Sequence, residues 1–90
     1  MLIEFDPNKR DKTLTERGLD FADAEKVFAG HQFTAPDNRQ DYNEPRFITF
    51  GKLHERMVVV VWTPRGENRR IISMRKANER EQEFYGHRLD

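Results

Sequence analysis

Cysteine is absent from the 90 residues, which removes any disulfide framework and any thiolate metal site. Histidine is scarce: His31, His54 and His87 stand far apart, without the close-spaced ligand pairs of a zinc site. No apolar run approaches the roughly 20 residues of a membrane helix. The opening MLIEFD is too short and too acidic for a signal peptide, so a cytoplasmic protein is expected. Glycine-rich phosphate loops, nucleophile elbows and dinucleotide fingerprints are missing as well. Net charge is lacking too: 16 basic residues balance 16 acidic ones, which argues against indiscriminate nucleic-acid binding. The expectation is one domain over residues 1–90 with no cofactor and no metal.

What is present is organised around Met57–Lys76. MVVVVWT is an unbroken apolar run rich in β-branched residues, as suits a strand covered on both faces. PRGEN is a turn, and RRIISMRK follows. Strict alternation places Ile72 and Met74 on one face, and Ile71, Ser73 and Arg75 on the other. This hairpin is expected at the centre of a small sheet, with cations on its second strand.

Leu2 to Phe5 reads as a short strand. Asp6-Pro7 then starts a helix running to Arg17, closed by Gly18 as a left-handed cap. That helix is almost wholly polar, with Leu14 as its main apolar anchor, and must lie on the surface. Asp20 caps a second helix whose Phe21, Ala24 and Phe28 face the core, and Gly30 ends it, giving a helical hairpin. His31 to Thr34 reads as an edge strand. Residues 36–45 form a loop, and Arg46 to Gly51 a further strand, with a polar turn after it. Asn78 and Glu81 form a capping box for a last helix, docked by Phe84 and Tyr85, with a frayed tail from Gly86. The fold class is α+β: a small antiparallel sheet with an N-terminal helical hairpin and a C-terminal helix.

Charge is distributed unevenly. Arg65 to Arg80 holds six basic and two acidic residues, a net of +4, whereas Glu16 to Glu25 has a net of −3. Such polarity reads either as a phosphate-facing surface with a second partner face, or as ordinary solvated surface. Ser73 and Arg75 share one face of the last strand, while Glu81 and Tyr85 share one side of the last helix. Lys9 lies in the first turn of the first helix. In-line attack of an RNA 2′-hydroxyl on the adjacent phosphorus needs cations for the developing charge and groups that move protons, and no metal. The competing reading pairs Arg75 with Glu81 or Glu79, makes Tyr85 a docking residue, and leaves Ser73 as a small residue on a crowded face.

FDPNK at residues 5–9, GLDFADAEKVF at 18–28, and VVVVWT followed by RRIISMRKANERE resemble the BrnT family of type II toxins. The RIIS-x-R-x-A hallmark is present as Arg70 to Ala77, followed by Glu81 and Tyr85. The resemblance implies a RelE-like fold and a metal-independent ribonuclease toxin (a hydrolase in the broad sense) that inhibits translation. It also implies a BrnA-type antitoxin with a ribbon-helix-helix DNA-binding part, a heterotetramer, and operator DNA contacted only through the antitoxin, with no membrane role. By position it makes Lys9 and Arg75 the leading catalytic candidates, with Arg70, Ser73, Glu81 and Tyr85 behind them. Arg17, Arg46 and Lys76 are expected to bind RNA. Where the family often carries Asn-Leu-x-Lys-His-Gly, this chain has Thr13 to Gly18 with Arg17 in place of histidine. Arginine binds phosphate but is a poor base. That departure and the zero net charge motivate the alternative, a non-catalytic module that binds an antitoxin-like partner and aids operon autorepression.

Overall fold

The computed structural model describes residues 2–89. Its five strands are β1 (Ile3–Phe5), β2 (Gln32–Pro36), β3 (Phe47–Leu53), β4 (Arg56–Arg65) and β5 (Asn68–Lys76). They form one sheet in the order β1-β5-β4-β3-β2. The three α-helices are α1 (Pro7–Arg17), α2 (Ala24–Ala29) and α3 (Glu79–Tyr85). Among the described residues no helix is long and apolar enough to cross a membrane.

The apolar run of β4 occupies the centre of the sheet, buried from Met57 to Thr63. Val58, Val60 and Trp62 enter a core with Leu19, Phe21, Ala24 and Val27 from the N-terminal helices. Met57 and Val59 enter a second core with Phe50, Ala77 and Leu89 on the other face. The sheet is therefore sandwiched between α1–α2 and α3. It is mixed rather than wholly antiparallel, because β1 joins β5 in parallel, Ile3 to Phe5 opposite Arg69 to Ile71. A chain that crosses a helical pair before returning can place its first strand this way; a tight hairpin cannot.

The strict alternation expected of β5 fails at one point, with consequences for every later residue. Trp62 is opposite Ile71 and Val61 is opposite Ser73, so Ile72 is the extra residue of a β-bulge. Ile71 and Met74, three residues apart, thus enter the same core. Ile71 does not share the face of Ser73 and Arg75.

Caps follow the sequence closely. Asp6 accepts from the Asn8 N–H at 2.9 Å, Pro7 opens α1, and Gly18 closes it at φ 69°. Leu14 is not a core anchor: it is 39% exposed and belongs to neither core, and α1 buries no residue completely. The helix is held instead by polar ties. Arg10 grips the Asp20 carboxylate through Nε and Nη2 at 2.9 and 2.8 Å, and Arg17 Nη1 donates to the Met74 carbonyl at 2.9 Å. Asp20 accepts from the Ala22 N–H, followed by a 3-10 turn at Phe21–Asp23. α2 then lies so close to β3 that a Cβ on Gly51 would stand 2.5 Å from Val27 Cγ1.

The turn from β3 to β4 is tight, with His54 and Glu55 at φ 50° and 66°. That backbone pattern normally selects Asn-Gly, and His-Glu carries no such signal. The tail after α3 is not frayed within the described residues. Gly86–Arg88 forms a 3-10 turn that tucks Leu89 into the second core at 4% exposure.

Candidate active site

Past Ile71, β5 has no β1 partner, so Ile72–Lys76 offers an open backbone edge. The sequence-derived candidates divide around this edge. On the α1 side, Lys9, Lys12, Thr13, Glu16, Arg17, Phe21, Ile72 and Ser73 line a shallow cleft of about 200 Å³. Arg17 fixes the end of α1 to this edge through its bond to the Met74 carbonyl, one residue before Arg75.

On the α3 side, Arg75 is held in a two-pronged ion pair with Glu81. Nη1 lies 2.7 Å from Oε1 and Nη2 2.9 Å from Oε2. The same Glu81 Oε1 accepts from the Asn78 N–H at 2.9 Å, and Asn78 Oδ1 accepts from the Glu81 N–H at 2.8 Å. The capping box at the start of α3 thus fixes the carboxylate that fixes Arg75. The Glu81 carboxyl is held below its ordinary range, chiefly by the hydrogen bond from Arg75, with partial burial opposing. Arg75 is raised by the same bond, while the charge of Arg39 acts on it in the opposite direction. Glu81 is therefore an ionised acceptor at neutral pH. The ion pair weighed as the competing reading of Arg75 exists, and a phosphate reaching Arg75 meets a cation already oriented by a carboxylate.

Tyr85 lies one turn beyond Glu81, its ring stacked on Phe50 at 4.1 Å and near Phe33 at 5.3 Å. Its ring is used to dock α3. Phe84 does not dock: it is 61% exposed, touching Tyr85 edge-to-face at 4.8 Å. Arg70 lies at the other end of β5, 3.7 Å from Glu4 of β1. Five residues of strand, roughly 16 Å, separate it from Arg75, so the structure does not gather it with the Arg75–Glu81 pair. Lys76 is exposed at the end of β5. Arg46 is 3.4 Å from Glu44, with its guanidinium 4.0 Å over the Tyr42 ring.

Sequence reasoning missed the 37–46 loop as part of this region. Its anchor is Asp37, a buried carboxylate that accepts from Arg39 Nε and Nη2 at 2.7 and 2.8 Å. Those bonds outweigh the desolvation of Asp37 and lower its pKa to about 2. The loop also seats on β4, where the Thr63 hydroxyl donates to the Pro45 carbonyl at 2.6 Å. It encloses a pocket of about 560 Å³ edged by Asn38, Gln40, Tyr42 and Arg46. Asp-x-Arg spacing was the available signal, but breakers and charge hid it in a segment read as plain loop.

Among the described residues no three His, Cys, Asp or Glu side chains gather where they can hold a metal ion. A family model described as "Ribonuclease toxin, BrnT, of type II toxin-antitoxin system" matches residues 5–81. No curated protein matches the chain.

Proposed function

The chain belongs to the BrnT family of ribonuclease toxins of type II toxin-antitoxin systems, and from that premise we propose that it cuts RNA without a metal at the open end of β5. The observation that carries this reading is the capping-box carboxylate of Glu81 holding Arg75 beside an unpaired strand edge. In the proposed reaction the 2′-oxygen bonds to the adjacent phosphorus as the bond to the 5′-oxygen breaks. The 2′-hydroxyl loses its proton, the 5′-oxygen gains one, and a 2′,3′-cyclic phosphate remains. Arg75 stabilises the charge on the non-bridging oxygens, as fixed donors do best in a preorganised site. Lys9 assists from the α1 cleft with Ser73, and Arg17, Arg46 and Lys76 hold flanking phosphates. Glu81 and Tyr85 are the candidates for proton transfer, and Arg70 contributes at longer range.

Membership of a type II toxin family implies an antitoxin partner. The finer reading is a BrnA-type ribbon-helix-helix antitoxin in a heterotetramer, translation as the process blocked, a RelE-like scaffold and action in the cytoplasm. Growth arrest on expression tests it: the parent arrests growth, and Arg75→Ala, still folded by circular dichroism though melting several degrees lower for want of its Glu81 pair, does not. A fully toxic Arg75→Ala protein overturns it.

One observation favours the alternative, non-catalytic module. Both candidate phosphate-binding arginines at the edge are already engaged, Arg75 by Glu81 and Arg17 by the Met74 carbonyl. That reading expects tight partner binding with no RNA cleavage.

A further inference from the structure

Of the five half-buried arginines among the described residues, four face a carboxylate: Arg10 has Asp20, Arg46 has Glu44, Arg70 has Glu4 and Arg75 has Glu81. Arg69 is the exception. Its guanidinium carbon stands 4.0 Å over the Phe28 ring and 5.1 Å from the Trp62 ring. Its Nε is sealed from solvent and has no acceptor. A buried N–H without an acceptor, on a cation without a counter-charge, is costly and is retained rarely without a reason. Stacking on two aromatic rings offsets part of this, but it leaves the donor edge of the fork unused.

Arg69 opens on a cleft of about 190 Å³ lined with Ile3, Glu25, Phe28 and Ala29. This is room for one side chain, with apolar walls and a two-donor fork at one end. A planar carboxylate is the natural complement of the Nη1/Nη2 edge of that guanidinium, accepting from both nitrogens without needing the sealed Nε. Glu25 lines the cleft, yet burial alone perturbs Arg69, with no hydrogen bond or charge from Glu25 acting on it. The cleft lies on the face covered by α1 and α2, near the acidic stretch Glu16 to Glu25. With Ile3, Phe28 and Ala29 as its walls and room for one side chain, the cleft suits a carboxylate on a protein side chain better than a phosphate in a nucleic-acid backbone. Six residues of β5, roughly 20 Å, separate this cleft from Arg75.

We propose that the Arg69 cleft is an antitoxin anchor, receiving one acidic side chain of the partner on the face of the sheet away from Arg75. The proposal rests on the toxin reading for the existence of that partner and adds where and by what chemistry the partner is held. Inhibition then does not require the anchor itself to cover the catalytic edge.

The test compares the full-length parent, Arg69→Met and Arg69→Lys. Methionine keeps an apolar stem over Phe28 and removes both the charge and the orphaned N–H. Titration calorimetry against purified cognate antitoxin is expected to show binding weakened at least tenfold in Arg69→Met and only partly restored in Arg69→Lys. RNA cleavage and the melting temperature of Arg69→Met are expected to match or exceed the parent's. Unchanged antitoxin affinity in Arg69→Met overturns the anchor. Lost RNA cleavage with retained antitoxin binding also overturns it and assigns the cleft to RNA. A parent protein that neither cleaves RNA nor binds antitoxin refutes the toxin reading instead, so the two failures are separate.

Discussion

Replacing Glu81 with Gln separates two jobs performed by one side chain. Oε1 accepts both the Asn78 N–H that starts α3 and one prong of Arg75, and Oε2 accepts the other prong. Glutamine keeps a carbonyl oxygen for the cap, as Gln does in capping boxes generally, and loses the charge. Arg75 is 42% exposed and Glu81 18% exposed at the side chain, so solvent screens the pair in part. Exposed pairs contribute about 0.2–1 kcal/mol, and the fork geometry with a mostly buried carboxylate places this one near the top of that range. A loss of about 1 kcal/mol lowers the melting temperature of a domain this size by roughly 4–8 °C. The pH dependence has a definite sign. The folded-state pKa of Glu81 is depressed below the ordinary 4.5, so its contribution is complete above that value and is lost as pH falls through the folded value. Glutamine does not titrate. Melting curves of parent and Glu81→Gln should differ at neutral pH and converge in acid. Equal melting temperatures at neutral pH, or a gap that does not shrink at all as pH falls from neutral into acid, refute the claim that this ion pair ties α3 to β5.

Two further substitutions test the packing that positions this edge. Gly51→Ala would drive a Cβ to 2.5 Å from Val27 Cγ1; overpacking of this kind costs about 1–3 kcal/mol, and adding Val27→Ala should recover part of it in a double-mutant cycle read by denaturant melts. Additive losses would show that α2 does not bear on Gly51. Thr49→Val removes the acceptor of the Trp62 indole N–H, now 2.8 Å from Oγ1 in a fully buried setting; leaving that donor unpaired should cost about 1–3 kcal/mol, and an unchanged urea midpoint would contradict it.

The elements with local signals were legible in the sequence: the Asp6-Pro7 start and Gly18 stop of α1, the Asn78–Glu81 box, and the valine run that became the central strand. What escaped depends on pairing over distance. The Ile72 bulge exists because of how β5 meets β4, and nothing in RRIISMRK marks it. β1 lies parallel to β5 after the chain has crossed α1, α2 and three antiparallel strands, a pairing no local signal reveals. Leu89 looks like a tail residue until the second core is seen to need it. At the site, Arg75 and Glu81 were legible as a pair because a strand end and a helix cap lie six residues apart. Arg39 and Arg69 were not. Their significance lies in a neighbouring charge and in a missing acceptor, and both are properties of the folded chain.

RNA cleavage by purified protein in EDTA tests the central claim most directly. The parent and Arg75→Ala are incubated with one defined single-stranded RNA, and the new ends are analysed. The parent is expected to cleave, leaving a 2′,3′-cyclic phosphate, and Arg75→Ala to cleave about 100-fold or more slowly, the usual scale for removing one charge-stabilising donor. Equal cleavage by both proteins contradicts the role of Arg75. A parent that cuts neither free RNA nor the messenger in a translation extract contradicts the ribonuclease reading of this edge.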